Sequence, residues 1–433
     1  MLSIVMLPSA ESIQIILPIA CILLLVMSLK NPVYGVIAYF FVLNAKLGEM
    51  YPLLGAIRFE LLVAAYVLLR ILVSGKGLGN FLPRINPINK AFWVLFAVGM
   101  ISVAFSVNPA VSWNEGGYFL LKITVFYIMI VSTVRSFADL AKILWAFLLV
   151  TAWIAYEPVA NYLSGVVSEE MYGAVAYGRF GAASGHVALA NTLNQGIPVL
   201  LYFAMTNTKR LVRLASIMIL ALLLFGVYAS KSRGGFLGLM VTAMGVVYFS
   251  RDRLKAGLIA GVFVTFFLTV AATDYLSHMS TIQEGVHASR TSSDRYLGLV
   301  NGISMMIKRP VLGVGIGCYA EARRQFFHYY FYSHNLYGEL FGELGLASIA
   351  WFYLIYLVFR RTRAIKRALE RAGPRDAFYF NIITAIQLGL FVRLFAGNFT
   401  HGSLIWFWFL MAALTVAVQN ILLQEKQIFL QRT

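Results

Sequence analysis

The sequence predicts an all-α polytopic membrane protein, and three observations carry that prediction. Hydrophobic residues make up 60% of the 433 positions and charged residues only 12%, where a soluble domain carries about 25%. Apolar runs of about 20 residues recur along the chain, the length an α-helix needs to cross a bilayer. These runs are continuous rather than alternating, which argues against a membrane β-barrel.

Taken in order, the runs place spans near 13–29, 33–47, 57–73, 91–107, 118–134, 140–162, 187–205, 211–229, 234–249, 256–272, 336–359, 378–395 and 404–422. Twelve or thirteen transmembrane helices are therefore expected. Arg58, Glu60 and Arg70 interrupt the third. Between the tenth and eleventh spans lies a polar stretch of about 60 residues, too long for an idle connector in a compact bundle. Short amphipathic helices are expected in it, for example around 294–307. The chain divides accordingly into an N-terminal group of spans (1–163), a middle group with arginine-bearing loops (164–274), the long loop (275–335) and the C-terminal spans with a basic tail (336–433).

Lysine and arginine in short loops set the orientation. The loops holding Lys76, Arg84 and Lys90, or Lys209, Arg210 and Arg213, fall on one side. So does the most basic loop, from Arg360 to Arg375. That side is expected to be cytoplasmic. The opposite side receives all six histidines: His186, His278, His287, His328, His334 and His401. The net charge of +17 follows from the same loop bias and suits anionic lipid. Its scatter over many loops excludes a nucleic-acid footprint. Cys21 and Cys318 offer neither a disulfide framework nor metal-ligand spacing. No basic stretch precedes the first apolar run, so no cleaved signal peptide is expected.

The chemistry-bearing stretch runs from Arg309 to Leu346. A Pro-Val-Leu-Gly-Val-Gly-Ile-Gly turn is followed by an aromatic run, then by Ser333, His334 and Asn335, and then by Glu339 and Glu343 in an apolar segment. The two carboxylates, four apart, share a helix face. A carboxylate in a span is costly and usually faces a polar cavity. A histidine near its ordinary pKa is the natural general base for a hydroxyl at neutral pH. The plainer reading is a capping histidine above two carboxylates packed in a bundle.

Arginines form the second group. Ser232-Arg233-Gly234-Gly235 puts a cation on the non-cytoplasmic side, against the usual bias, with glycines that let a ligand or backbone come close. Arg179 lies between glycines in Tyr177-Gly178-Arg179-Phe180-Gly181, ahead of Asn191 and Asn194. Arg295 follows Asp294 in the long loop, with Arg290 nearby. A guanidinium fork suits phosphate through paired, charge-assisted hydrogen bonds. The plainer alternatives are lipid-headgroup anchors and solvated loop charges. No Walker motif, Asp-x-Asp pair or zinc spacing is present, so an ATP-driven pump and a metal-dependent sugar-nucleotide enzyme are not expected.

In order and spacing these pieces resemble the O-antigen ligase and polymerase superfamily of bacterial envelope enzymes. The resemblance rests on Arg179 to Gly181 with Asn191, Ser232-Arg233-Gly234, Arg295, Arg309 to Gly317, Ser333-His334-Asn335 and Glu343-Leu344-Gly345. Asn31 to Gly35 adds a fainter likeness to O-glycosylation ligases of exosortase systems. The resemblance implies a multi-pass protein of the bacterial inner membrane that transfers a glycan at the periplasmic face, without metal or other cofactor. The donor would be a glycan on undecaprenyl diphosphate. The acceptor would be a sugar hydroxyl of the lipid A core for a ligase, or of another lipid-linked glycan for a polymerase. His334 would activate that hydroxyl. Arg179, Arg233 and Arg295 would hold the diphosphate, with Asn335, Glu339 and Glu343 in support. A flippase without chemistry is the rival from another class, with Lys122 and Glu157 as its intramembrane polar groups.

Overall fold

A computed structural model describes residues 10–45, 51–74, 86–165, 185–206, 209–249, 290–372 and 377–424, with a few isolated positions between 253 and 265. Among them every regular element is helical. The helices are α1 Ala10–Met27, α2 Val33–Ala45, α3 Pro52–Ala56, α4 Phe59–Val73, α5 Pro87–Ala104, α6 Pro109–Ser112, α7 Tyr118–Thr133, α8 Phe137–Leu163, α9 His186–Thr206, α10 Arg210–Ala229, α11 Arg233–Phe249, α12 Arg290–Lys308, α13 Tyr319–Phe327, α14 Leu336–Leu344, α15 Ile349–Ala372, α16 Ala377–Ala396 and α17 Trp406–Gln424. A π-helical turn, Trp113–Gly117, joins α6 to α7.

Eight helical stretches among the described residues are long and apolar enough to cross a membrane, and three shorter apolar helices accompany them. The protein is thus an all-α polytopic membrane protein. Two expected spans differ in detail. The third is broken at Arg58, whose backbone is left-handed at φ 48°, so α3 stops short of α4. The eleventh is two helices, α14 and α15, joined by a 3-10 turn at Gly345–Ser348. The expected span 256–272 lies almost wholly outside the described residues, as does the 164–184 loop with Arg179. Within the long loop, α12 and α13 are the short helices, and both are amphipathic.

The chain forms two compact units, one of residues 1–80 and 128–231 and the other of residues 81–127 and 232–433. In the first, α2 packs on α1, α4 and α8, while α8, α9 and α10 pack on one another. Small residues set these contacts, as is usual in membrane bundles. A Cβ on Gly226 would stand 2.6 Å from the Leu193 side chain. Ser136 caps α8, its hydroxyl oxygen accepting from the Asp139 N–H at 3.2 Å, and Asn31 donates to the Asp139 carboxylate at 3.0 Å.

In the second unit α17 lies at the centre and is buried along nearly its whole length. α15 packs on α5, α16 and α17, and α11 packs on α16. Asn86 caps α5 and donates to Gln419 on α17 at 3.1 Å. Pro87 follows it at the first helical position, where no donor is lost.

Two backbone devices then shape the long loop. The glycine turn after α12 satisfies the free carbonyls where α14 stops. Val314 N–H donates to the Gly342 carbonyl at 2.9 Å and Gly315 N–H to that of Glu343 at 3.0 Å. In return, Leu346 and Ala347 donate to the carbonyls of Pro310 and Val311. Gly313, Gly315 and Gly317 all have positive φ, which glycine alone adopts cheaply. The second device is the crossing of α12 and α14 at backbone contact. A Cβ on Gly298 would overlap the Ser333 carbonyl oxygen, and one on Gly302 the Gly338 carbonyl.

Candidate functional site

The site grows from the α12–α14 crossing. Arg295 sits one turn before Gly298 on the same face of α12, so the contact that brings Gly298 onto Ser333 also brings Arg295 to His334. His334 itself holds a left-handed backbone, φ 47°, uncommon and costly for a residue with a side chain. Its neighbours hold it there. The Ser333 hydroxyl donates to the Asn335 carbonyl at 2.7 Å. The Asn335 side-chain oxygen caps α14 by accepting from Gly338 N–H at 2.9 Å.

A second loop, between α16 and α17, closes on His334. Leu336 N–H donates to the Gly397 carbonyl at 2.7 Å. The Glu339 carboxylate accepts from Gly402 N–H and Ser403 N–H, each at 2.8 Å. These bonds bring His401 beside His334, ring centroids 5.2 Å apart and 68° between planes. The His401 ring stacks flat on Tyr332 at 5.5 Å, and Phe331 meets His334 edge-on at 4.9 Å.

Phe399 on the same loop gathers the arginines. The Arg295 guanidinium lies 5.7 Å from its ring. Gly234, next to Arg233, packs tightly on the same residue: a Cβ there would stand 3.2 Å from the Phe399 Cβ. Arg233 opens α11 and lies near enough that its charge, after burial, holds the Arg295 guanidinium below its ordinary pKa. Two cations beside each other, with no ion pair to a carboxylate among the described residues, form a place for a shared anion.

Burial is also the main influence on His334, followed by the charges of His401 and Arg295; Asp294 opposes them weakly. Together they push the imidazole down to about 4. The ordinary value expected from the sequence is therefore corrected: the ring is neutral across the physiological range and a weaker base than a free imidazole. Burial and then Arg393 hold His401 at about 4 as well.

The aromatic run before His334 is pinned from beneath by Arg323, which is fully buried. Arg323 donates to the Tyr332 carbonyl at 3.2 Å and to the Tyr329 hydroxyl, and lies 4.2 Å from the Tyr329 ring. With the Asn301 amide turned so that its oxygen accepts, that oxygen takes bonds from Arg323 Nε at 3.0 Å and from Tyr329. Tyr332, stacked on His401, and Tyr330, edge-on to Tyr332, both stay exposed.

Of the residues singled out from sequence, the structure brings His334, Arg233, Arg295, Asn335 and Glu339 together. Glu343 stands apart from the imidazole: its carboxylate accepts the Tyr319 N–H at 3.2 Å, at the start of α13. Arg179 lies outside the described residues, as do His278 and His287. Asn191 is buried in α9 of the first unit, its side-chain amide without a hydrogen-bond partner there. Lys122 lies over the Tyr118 ring of its own helix at 4.3 Å. Sequence reasoning missed His401, Arg393 and Arg323. The available signal was Arg393, a charge inside a span, eight residues before a histidine. Arg323 gave none, because an arginine on a short amphipathic helix is ordinarily solvated.

Residues 218–353 match a family model described as O-antigen ligase. The match takes in Arg233, Arg295 and His334, so this part of the chain carries a domain similar to the O-antigen ligase and polymerase superfamily, which supports a function of that general type. The match covers less than a third of the chain. No curated protein matches the sequence.

Proposed function

We propose that the chain, which matches the O-antigen ligase family across residues 218–353, is a ligase-type glycosyltransferase acting at the periplasmic face of the bacterial inner membrane. It moves a glycan from undecaprenyl diphosphate to a sugar hydroxyl, that of the lipid A core in the ligase reaction. The observation that carries this reading is the nearness of the Arg233 charge to Arg295, whose guanidinium lies over Phe399, beside a neutral His334.

In this mechanism the diphosphate sits on the two guanidinia, with Arg179 as a third ligand on the strength of the resemblance. The acceptor O–H bond breaks and its proton passes to the free nitrogen of His334. The oxygen forms a bond to the anomeric carbon of the donor. The bond from that carbon to the diphosphate oxygen breaks, and undecaprenyl diphosphate leaves with the electron pair. Fixed cations meet the charge that develops there without needing metal. Donor binding also readies the base, because an anion on Arg295 offsets one of the charges that keep protons off His334. Bond energy already resides in the donor, so no nucleotide takes part. The exposed faces of Tyr330 and Tyr332 border the reacting hydroxyl and offer flat apolar surfaces for sugar rings.

The test is expression in cells lacking either the ligase or the polymerase, followed by inspection of the lipopolysaccharide ladder. Restored attachment in the ligase-deficient cells, lost in His334→Ala, supports the reading. Restored chain lengthening only in polymerase-deficient cells makes it a polymerase. Loss of transfer by the purified protein on adding a chelator would defeat the metal-independent mechanism.

A further inference from the structure

Four charged and indole groups that α14 to α17 carry, Glu339, Arg393, Trp351 and Trp408, converge on three residues of one loop. Glu339 takes the N–H groups of Gly402 and Ser403 at 2.8 Å. Arg393 Nη2 donates to the His401 carbonyl at 2.9 Å. Trp351 Nε1 donates to the Ser403 carbonyl at 2.9 Å and Trp408 Nε1 to the Gly402 carbonyl at 3.0 Å. Charges within spans are expensive and are kept where they serve a function. Here they are spent on fixing a tripeptide whose one functional side chain is an imidazole. Gly402, at φ 117°, lets the chain turn between the two carboxylate-bound N–H groups.

The other side of the contact is equally determined. His334 keeps its left-handed backbone while the Leu336–Gly397 bond ties its segment to the same loop. Tyr332 fixes the plane of the His401 ring by stacking. The His401 Nδ1 is buried and has no hydrogen-bond partner among the described residues.

We propose that His401 is a positioning residue for His334: its clamped imidazole, edge to face with the His334 ring, fixes that ring's orientation toward the acceptor hydroxyl. The inference rests on the reading of His334 as the base. The charged and titratable groups facing His334 are His401, Arg295, Asp294 and Arg323, and Arg393 faces His401 from α16. Of these, His401 alone is in ring contact with His334. A misplacement of about 1 Å in a reacting group costs on the order of 100-fold in rate, which sets the scale of the effect.

The experiment uses the full-length protein with labelled histidine in lipid nanodiscs, the His334 signal being assigned by its loss in His334→Asn. His401→Phe keeps a flat ring for Tyr332 and removes the titrating group. The expected result is an upward shift of the His334 titration and a fall in transfer of about 10- to 100-fold, with the acid limb of the pH profile moving up in parallel. Transfer is read as ladder restoration and as turnover in membranes from the same cells. An unmoved His334 titration overturns the inference even if transfer falls, since His401 is then merely structural. A moved titration with normal transfer overturns it too, because the contact has no consequence. If His334→Ala itself keeps transfer, the base reading fails and takes the inference with it. If His334→Ala is dead while His401→Phe is normal in both readouts, the inference alone fails. Should His401→Phe not fold, His401→Gln replaces it. Magnetisation transfer between the two rings in the wild-type protein is a further check, and its absence removes the contact on which the inference stands.

Discussion

Arg393, in a membrane-spanning helix and 5% exposed, donates to the carbonyl of His401 at 2.9 Å and lies within electrostatic reach of Glu339. Removing either side chain leaves groups of the loop without their hydrogen-bond partners, at a cost of about 1–3 kcal/mol. Arg393→Leu and Glu339→Leu should each lower thermal stability in detergent by that order. The double replacement should cost clearly less than the sum. Additive losses would show that the two charges act independently.

Arg233→Lys keeps the charge and loses the fork. Hydrogen bonds to a charged ligand contribute about 1.5–3 kcal/mol each, so turnover should fall about 10- to 100-fold with protein level unchanged. Wild-type turnover in Arg233→Lys would leave the residue as a headgroup anchor.

The α12–α14 crossing tolerates no side chain at its centre. Gly302→Val pushes against the Gly338 carbonyl, as does even the added methyl of Gly302→Ala. Overpacking of this kind costs about 1–3 kcal/mol or more, and the helices must part to relieve it, drawing Arg295 away from His334. Transfer should drop together with the melting temperature. Ile303→Ala, next along α12 on the exposed face, should stay within about 0.5 kcal/mol of wild type.

The depressed imidazoles give pH a definite sign. His334 and His401 are held at about 4 against an ordinary 6.5. The folded protein therefore binds fewer protons than the unfolded chain between those values, and stability is lost as pH falls through that window. Transfer limited by His334 should persist to about pH 5 and decline below it. A pyrophosphate probe, by offsetting Arg295, should move the His334 titration upward in NMR. A probe-insensitive titration would separate the arginines from the base.

The sequence carried the architecture because hydropathy and length nearly decide it, and His334, Arg233 and Arg295 stood out as polar residues in unusual places. What it could not convey was pairing across distance. Gly397 to Ser403 reads as a short connector between spans, and only the folded chain lays it against Ser333 to Leu336. Likewise Glu339 and Glu343 look equivalent on one helix face, yet one holds the His401 loop and the other holds the start of α13. The depressed imidazole was hidden for the same reason: burial and the Arg295 charge come from elements distant in sequence that only the fold brings together.

The mutual bonding of the glycine turn and the end of α14 has a consequence for how slowly this region opens. The amides of Val314, Gly315, Leu346 and Ala347 lie outside regular α-helix, where solvent exchange is ordinarily fast. Each is bonded to a carbonyl of the opposing segment, so none can exchange until turn and helix end separate together. The four should therefore exchange deuterium as one cooperative unit, at a rate set by that joint opening.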